Sequence, residues 1–370
     1  MIDRRLAQHI DVLLLLLVVA IVSMGITTVY SATYAQAQNQ MSPLVWRQAL
    51  WAAAGAVMMF ALLLFDYRKL ERHAYVIYLG ILALLILVPV IGIDGGGSRR
   101  WIRFGFFALQ PSELAKLGLI IALARFFHRD AARESYGLKE LVVPVALCAV
   151  PAVLTLVQPD LGSAAVMGLI FASVVLIAGL RLRVIGVLVL AGAIGVFVAG
   201  QSLWSHLKPY QQKRILTFLN PEADPLGSGY HLIQSKIAVG SGMFWGKGFL
   251  HGTQNKLQFL PEQHTDFIFS VFAEEWGFVG CATLALLYAM LILRGLQIVS
   301  RAKDRFGALL AFGVVSMIFW QAFVNMSMTT GLLPVVGITL PFFSYGGSSI
   351  ITLLLGVGLV LNVSMRRFTF

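Results

Sequence analysis

Apolar runs of about twenty residues recur along almost the whole chain, and this feature limits the folds open to it. A helix of that length crosses the hydrocarbon core of a bilayer. Hydrophobic residues make up 58% of the sequence and charged residues 12%, about half the charge of a typical soluble domain. A soluble helical protein would need polar helix faces, which these runs lack. The pattern predicts an all-α integral membrane protein.

The runs divide into ten predicted transmembrane helices and one long loop. The apolar stretch around Arg181 and Arg183 is counted as two spans because it is about twice as long as one bilayer crossing. We expect a single membrane domain over residues 1–370, with a long loop at 204–265 before the eighth helix. The predicted spans lie at 11–31, 44–65, 73–93, 110–128, 139–158, 162–180, 184–203, 266–293, 307–330 and 347–365.

Basic residues predict the orientation of these spans. By the positive-inside rule, both termini are predicted to lie in the cytoplasm and the chain in the cytoplasmic (inner) membrane. The net charge of +11 largely follows from these loops, so nucleic acid is not expected as a partner. Both cysteines lie inside predicted spans, which argues against a disulfide framework. The basic residues on the cytoplasmic side are Arg4, Arg5, Arg68, Lys69, Arg72, Arg125, Arg129, Arg133, Lys139, Arg181, Arg183, Arg294, Arg301, Lys303, Arg305, Arg366 and Arg367.

Some basic residues fall on the outer side, against this rule. Arg99, Arg100 and Arg103 lie in the short second outer loop, where the rule should hold. The long loop carries others, but its length exempts it from the rule. A cationic outer face suits an anionic ligand, and a lipid phosphate is the first candidate. The basic residues of the long loop are Lys208, Lys213, Arg214, Lys236, Lys247 and Lys256.

The long loop also contains a helical pattern. A turn cluster at 220–227 is followed by Tyr230, Ile233 and Ile237 at helical spacing. This pattern predicts a short interfacial helix lying on the membrane. A buried loop helix would explain the same spacing equally well.

Ionisable residues lie at the outer ends of three helices. Because charge within or beside a membrane span is costly, their presence there requires an explanation. Glu113 and Lys116 are three residues apart, so they share a helix face and are able to pair. Helix capping explains Glu113 but not the deeper Lys116, so a functional pair is favoured. Asp160 has the position of a cap for the sixth span, and capping alone accounts for it.

The third position gathers several titratable groups before span eight. Glu262, His264 and Asp266 crowd one helix end, which is typical of a functional site. A further outer loop, 334–349, is rich in glycine, amides and hydroxyls. These groups suit a phosphate, although tight helix packing explains the same glycines.

Together these segments resemble the SEDS family (shape, elongation, division and sporulation). The resemblance covers nearly the whole chain, and its motifs occur in the expected order. It implies polymerisation of lipid II into glycan strands outside the cytoplasmic membrane, with a class B penicillin-binding protein as partner. Residues 246–248, 251–254 and 259–262 resemble the rod-shape branch, which acts in cell elongation. The matching segments are Arg100-Trp101-Ile102, Gln110-Pro111-Ser112-Glu113, Gln158-Pro159-Asp160-Leu161-Gly162, Gln234-Ser235-Lys236-Ile237-Ala238, His264-Thr265-Asp266-Phe267-Ile268-Phe269 and Ser344-Tyr345-Gly346-Gly347-Ser348.

The resemblance also implies roles for particular residues. Asp266 is expected to be the essential carboxylate, and we assign it the role of base, with metal coordination as the competing role. Mg²⁺ or Mn²⁺ is the expected ion, because a diphosphate with one or two carboxylates suits it. Glu113 is expected to orient Lys116, and Asp160 to shape the cavity. The expected substrate-binding residues are Arg100, Lys116, Arg214, Lys236 and His264, with Arg103 as a further cation.

Two other functions use the same features. A flippase for the same lipid would need ionisable residues through the membrane, and only Arg47, Lys116, Glu274 and Glu275 extend inward. A scaffold without chemistry would make Asp266 a helix cap, and Asn would replace it without loss.

Overall fold

The computed structural model describes residues 9–35, 37, 40–95, 98–105, 107–130, 135–181, 183–184, 186–187, 204–205, 209–224, 227–256 and 263–368. Within them, twelve α-helices and three short strands are named here in chain order. The helices are α1 (Val12–Tyr34), α2 (Pro43–Leu63), α3 (Tyr67–Ile91), α4 (Pro111–Arg129), α5 (Val142–Val157), α6 (Leu161–Gly179), α7 (Pro209–Leu219), α8 (Ser228–Ser241), α9 (Thr253–Lys256), α10 (Ile268–Ser300), α11 (Arg305–Thr330) and α12 (Gly347–Met365). The strands are β1 (Ile93–Gly95), β2 (Ser98–Phe104) and β3 (Phe107–Leu109).

Seven of the described helices are long and apolar enough to cross a membrane: α1, α2, α3, α6, α10, α11 and α12. Helix α5 is apolar but has only 16 residues. Together with α4, these helices occupy nine of the ten predicted spans. The remaining span, 184–203, lies outside the described residues except at positions 184, 186 and 187.

Helix α4 is the central helix of the bundle. All but four of its 19 residues are buried, and it packs against α3, α5, α6, α11 and α12. Because protein rather than lipid surrounds it, α4 is able to carry the buried charges Glu113, Lys116 and Arg125.

Helices α1 and α10 lie side by side and are joined near both ends. Arg294 Nε donates to Asp11 Oδ2 at 2.9 Å, and Ser31 Oγ donates to Glu275 Oε1. About twenty helical residues separate the two contacts, a rise of about 30 Å that matches a hydrocarbon core of about 30 Å. The contacts therefore lie near the two ends of the bundle, about one hydrocarbon thickness apart. We call the Asp11 face the termini end, because α1 begins and α12 ends there, and the Glu275 face the site end.

A small sheet, which was not predicted, lies in the predicted second outer loop. Strand β2 lies between β1 and β3 and is antiparallel to both, with Ile93 opposite Trp101 and Ile102 opposite Leu109. Side chains alternate along β2, so Ile102 is buried while Arg99 and Arg103 are exposed.

Helix α8 occupies the position predicted for the interfacial helix. Its buried stripe is Leu232, Ser235 and Ala238, whereas the predicted stripe residue Ile237 is 46% exposed. Ser235 Oγ lies 2.6 Å from Ser270 Oγ of α10 and donates to Thr329 O of α11 at 2.7 Å. The helix is therefore fastened to the bundle by its small and polar side. The loop also contains α7 and α9, which were not predicted.

A bend in α10 receives the segment that follows α8. Gly277 has φ +59° and Gly246 has φ +79°, and the two backbones are in direct contact. Met243 O accepts from Phe278 N at 2.9 Å, and Lys247 N donates to Glu274 O at 3.0 Å. A side chain at either glycine would separate the two segments.

Candidate functional site

Asp266 lies at the site end, two residues before α10 begins, and its side chain is half-buried. Its carbonyl accepts a hydrogen bond from Asn325 Nδ2 of α11 at 3.0 Å. Gly337, at φ +74°, lies beside the carboxylate, since a Cβ atom on it would be 3.4 Å from Asp266 Oδ2. Asp266 precedes Glu275 by nine residues of chain. The carboxylate therefore lies at the same end of the bundle as Glu275 and is partly exposed.

The backbone at Val336 and Gly337 connects three predicted parts of the site. Arg214 of α7 donates to Val336 O at 3.1 Å. A Cβ atom on Gly162, in the first turn of α6, would lie 2.7 Å from the same carbonyl. The Asp266 carboxylate lies beside Gly337, the next residue of the segment. Residues that are far apart in sequence thus meet at one short segment.

Asp160 does more than cap α6. Its Oδ1 accepts from Ser163 N at 3.0 Å, which is the predicted cap. Its Oδ2 accepts from Ser112 Oγ and from Gln110 Nε2, both at 3.1 Å. Because Ser112 and Gln110 stand at the start of α4, this carboxylate fixes the starts of two helices against each other.

The glycine-rich loop is held against the segment before Asp266. Tyr345 N donates to His264 O at 2.9 Å, and Ser344 Oγ donates to Thr265 O at 2.7 Å. The rings of His264 and Tyr345 lie with centroids 5.7 Å apart. From the other side, the buried Gln48 donates to Ser344 O at 3.0 Å and accepts from Gly346 N at 3.1 Å.

The predicted pair of Glu113 and Lys116 is present. Lys116 Nζ lies 2.7 Å from Glu113 Oε1, and both side chains are buried. Glu113 Oε2 is buried and has no hydrogen-bond partner among the described residues. Because Glu113 follows Ser112, which binds Asp160, the pair lies directly beneath the Asp160 network.

The remaining predicted cations differ in their surroundings. Arg100 donates to Gln158 O at 3.1 Å and to Pro159 O at 2.5 Å, so its guanidinium is engaged with the turn between α5 and α6. Lys236 is exposed, and its side chain lies across Gly331, the glycine that follows α11. Lys247, by contrast, binds the buried Glu274 at 2.6 Å.

Several residues that build this region were not predicted as site residues. Gln48, Gln263 and Asn325 are wholly buried polar side chains in or beside apolar helices. Glu274, also wholly buried, accepts from Lys247 Nζ and from Thr253 N, the latter at 2.8 Å. The available signal was a polar side chain inside an apolar run, which needs a partner in a membrane protein.

The described residues contain no group of three His, Cys, Asp or Glu side chains able to hold a metal ion. Asp266 is half-buried and therefore accessible to a ligand that supplies further oxygen atoms. One carboxylate plus phosphate oxygens is a donor set that suits Mg²⁺. The residues thus fit an ion shared with a phosphorylated substrate, and not a cage made by protein alone.

Comparison with known proteins places this architecture in a family. A model of the cell cycle protein family of FtsW, RodA and SpoVE matches residues 11–368. The chain is 41% identical over 360 residues to the peptidoglycan glycosyltransferase MrdB of Escherichia coli K12, covering 97% of this chain and 94% of that protein. It is also 41% identical over 365 residues to a probable peptidoglycan glycosyltransferase FtsW of Geobacter metallireducens, covering 97% and 96%.

Solved structures give the same result. A chain from a study of the coordination of polymerization and crosslinking by a peptidoglycan synthase complex is 36% identical, with a TM-score of 0.82. The match covers 98% of this chain and 99% of that one. The rod shape determining protein RodA of Thermus thermophilus is 33% identical, with a TM-score of 0.70 and 98% of each chain covered.

Proposed function

This chain belongs to the SEDS family of cell cycle proteins (FtsW, RodA and SpoVE), and on that premise we propose that it is a peptidoglycan glycosyltransferase. It polymerises lipid II, an undecaprenyl-diphosphate disaccharide-pentapeptide, into glycan strands during cell elongation. Relatives that match almost the whole chain are named peptidoglycan glycosyltransferases. The observation that carries the proposal is the half-buried Asp266 carboxylate, which shares the Val336–Gly337 segment with Arg214.

The site end is the outer face of the cytoplasmic membrane in this proposal. Arg68, Arg125, Arg294, Arg305 and Arg366 all lie at the termini end, where each contacts the ends of neighbouring helices or their connections. The positive-inside rule then assigns that end, and both termini, to the cytoplasm.

The chemistry follows from the position of the carboxylate. Asp266 takes the proton of the acceptor sugar hydroxyl as the hydroxyl oxygen forms a bond to the anomeric carbon of the donor. The bond from that carbon to the diphosphate breaks with inversion, and its electron pair leaves with the diphosphate. A diphosphate is a good leaving group and needs no acid, so positive charge around it is sufficient.

Arg214 and Lys236 are the cations best placed to meet the diphosphate. Both belong to the long loop at the site end, and neither is buried. Lys116 is 2% exposed, so it supports the site through its charge from below. Arg100 supports the site by holding the turn that precedes Asp160.

In the competing role, Asp266 and the diphosphate oxygens together would hold a divalent ion, Mg²⁺ or Mn²⁺, instead of Asp266 acting as the base. Such an ion neutralises charge on the departing diphosphate when it is bound. His264, whose ring faces Tyr345, borders the substrate on the side of the glycine-rich loop.

The chain works with a class B penicillin-binding protein, which supplies the transpeptidase that this chain lacks. The similarity to a chain of a synthase complex that couples polymerization to crosslinking supports this partner.

The test is glycan polymer formation from lipid II by the purified chain with its partner, with Mg²⁺ or Mn²⁺ varied. Asp266→Asn is compared with Asp304→Asn, which alters an aspartate that caps α11 at the termini end. We expect polymer from wild type and from Asp304→Asn, and none from a folded Asp266→Asn. Equal polymer from Asp266→Asn would remove this carboxylate from the mechanism. No polymer from any protein would favour the flippase or the scaffold.

A further inference from the structure

Asn325 is a wholly buried amide in a membrane-spanning helix. It lies in α11, five residues before the helix ends at the site end, in the run Phe323-Val324-Asn325-Met326. Burying an amide is unfavourable unless its polar atoms find partners. The position therefore needs a reason that packing does not supply.

Its NH₂ group joins two separate segments of the site. Asn325 Nδ2 donates to Asp266 O at 3.0 Å and to Ile338 O at 2.6 Å. Asp266 precedes α10, whereas Ile338 belongs to the loop between α11 and α12. Ile338 directly follows Gly337, the residue that lies beside the Asp266 carboxylate. The two hydrogen bonds therefore hold both sides of that contact.

We infer that Asn325 is a positioning residue for the reaction, an inference that rests on the proposed function. By holding the main chains of Asp266 and Ile338 together, it keeps the Asp266 carboxylate against Gly337. It also fixes the segment whose Val336 carbonyl binds Arg214. The base and a cation are thereby set at a constant separation, although Asn325 touches neither reacting group.

The side-chain chemistry suits this role. Two carbonyl oxygens need two donated hydrogens, and an amide NH₂ supplies both from one atom. Asn325 Oδ1 is buried and accepts no hydrogen bond from the described residues, so the residue serves as a donor. Aspartate has the same shape, but it would replace the NH₂ group by an oxygen that accepts hydrogen bonds and donates none to the two carbonyls. Serine would reach at most one of them.

The chain contains a matched control at the opposite end of the bundle. Asn362 of α12 is 2% exposed, and its Nδ2 donates to Leu62 O at 2.7 Å and to Phe65 O at 2.6 Å. It has the same residue type, nearly the same burial and the same double donation, but its Oδ1 also accepts from Arg366 Nε at 2.9 Å. Ser removes the amide at both positions and is therefore the cleaner comparison. Its carbonyls lie at the connection between α2 and α3, far from Asp266. Substitution of either residue should therefore lower stability, but only substitution of Asn325 should disturb the segment that carries Asp266.

The experiment compares Asn325→Asp and Asn325→Ser with Asn362→Asp and Asn362→Ser in the complex with the partner. Thermal stability, lipid II binding, kcat, KM and the pH dependence of kcat are measured for each. We expect both pairs to lower the melting temperature. Only the Asn325 pair should lower kcat, by roughly 10- to 100-fold, because small misplacement of a reacting group has that effect. KM should change less than about 3-fold, since substrate contacts remain.

The outcomes separate this inference from the proposed function. Wild-type activity with an inactive Asp266→Asn and fully active Asn325 variants would overturn the inference alone. An equal fall in kcat for the Asn325 and Asn362 variants would also overturn it, because the effect would then be general destabilisation. No polymer from wild type would overturn both. A pH profile that moves only in the Asn325 variants would support the role through Asp266.

Discussion

Lys116 Nζ lies 2.7 Å from Glu113 Oε1 inside α4, and neither side chain is more than 7% exposed. Two opposite charges are thus buried in the central helix one turn below the Asp160 network. A pair of this kind contributes little net stability, because desolvation offsets the attraction. On the proposed function, the pair serves to hold the Lys116 ammonium group under the site.

Lys116→Met should destabilise the chain and abolish polymerisation, because it leaves Glu113 as an uncompensated buried carboxylate. Removing one partner of a buried pair costs about 3–5 kcal/mol. Replacing both residues, with Lys116→Met and Glu113→Leu, should restore most of the thermal stability. If the Lys116 charge stabilises the departing diphosphate, the double variant should remain at least roughly 10-fold less active than wild type. That factor corresponds to about 1.4 kcal/mol of activation free energy. Melting curves and polymer assays on the same preparations check this. A double variant that regains both properties would make the pair purely structural.

Gly162→Ala should reduce polymerisation through the Val336 segment. The added methyl group would lie 2.7 Å from Val336 O and 2.8 Å from Ile338 Cγ1, so the segment must move. Because Arg214 donates to that carbonyl and Asp266 contacts the next residue, a shift of the segment misplaces both groups. The loss should be about 10-fold or more. Gly168→Ala in the same helix is the control, since nothing lies within 4 Å of its Cβ position. Equal activity of the two variants would contradict this prediction.

Arg214→Gln should raise KM for lipid II by about 10-fold, the effect expected for the loss of one charged hydrogen bond to substrate. The adjacent Lys213 is the control, because its side chain is 58% exposed and pairs with Asp224 at 3.1 Å. Lys213→Gln removes the same charge from α7 but should leave KM nearly unchanged, since exposed pairs contribute little. Steady-state kinetics at two salt concentrations distinguish a specific contact from general charge. Similar KM values for both variants would show that only the total charge of the loop matters.

The membrane helices follow from the sequence because each apolar run is a local property. The pairing of Glu113 with Lys116 was predictable for the same reason, since a spacing of three residues places them on one helix face. Asp160 as a cap was predicted from its position before an apolar run, and the structure shows that cap. Its bonds to Gln110 and Ser112, about fifty positions away, have no local signature.

The rest of the site depends on contacts between distant segments. Gln48 and Ser344 meet across 296 positions of sequence, and nothing around Gln48 indicates its partner. The strands were missed for a different reason. The alternation that buries Ile102 and exposes Arg99 and Arg103 is confined to one short strand that is rich in arginine. The assignment of substrate contacts remains a prediction, because a positive charge alone does not say which phosphate it meets.

Trp245 should lie in the interface of the outer leaflet. It is 76% exposed beside Met243, which is 79% exposed, and Phe278, which is 62% exposed. The backbone of residues 243–248 is hydrogen-bonded to α10 around Glu275. Glu275 also binds Ser31 of α1, which lies about 30 Å along that helix from Asp11. Tryptophan prefers this boundary, where its ring is in hydrocarbon and its N–H in water.

A protein whose only tryptophan is Trp245, reconstituted in brominated lipids, should lose fluorescence most with bromine near the headgroups. A protein that keeps only Trp320, whose Nε1 donates to Ser173 inside the bundle, should respond more to bromine deeper in the chains. Quenching of Trp245 by aqueous iodide but by neither lipid would place the segment in water. Resistance to every quencher would show that another part of the assembly covers it.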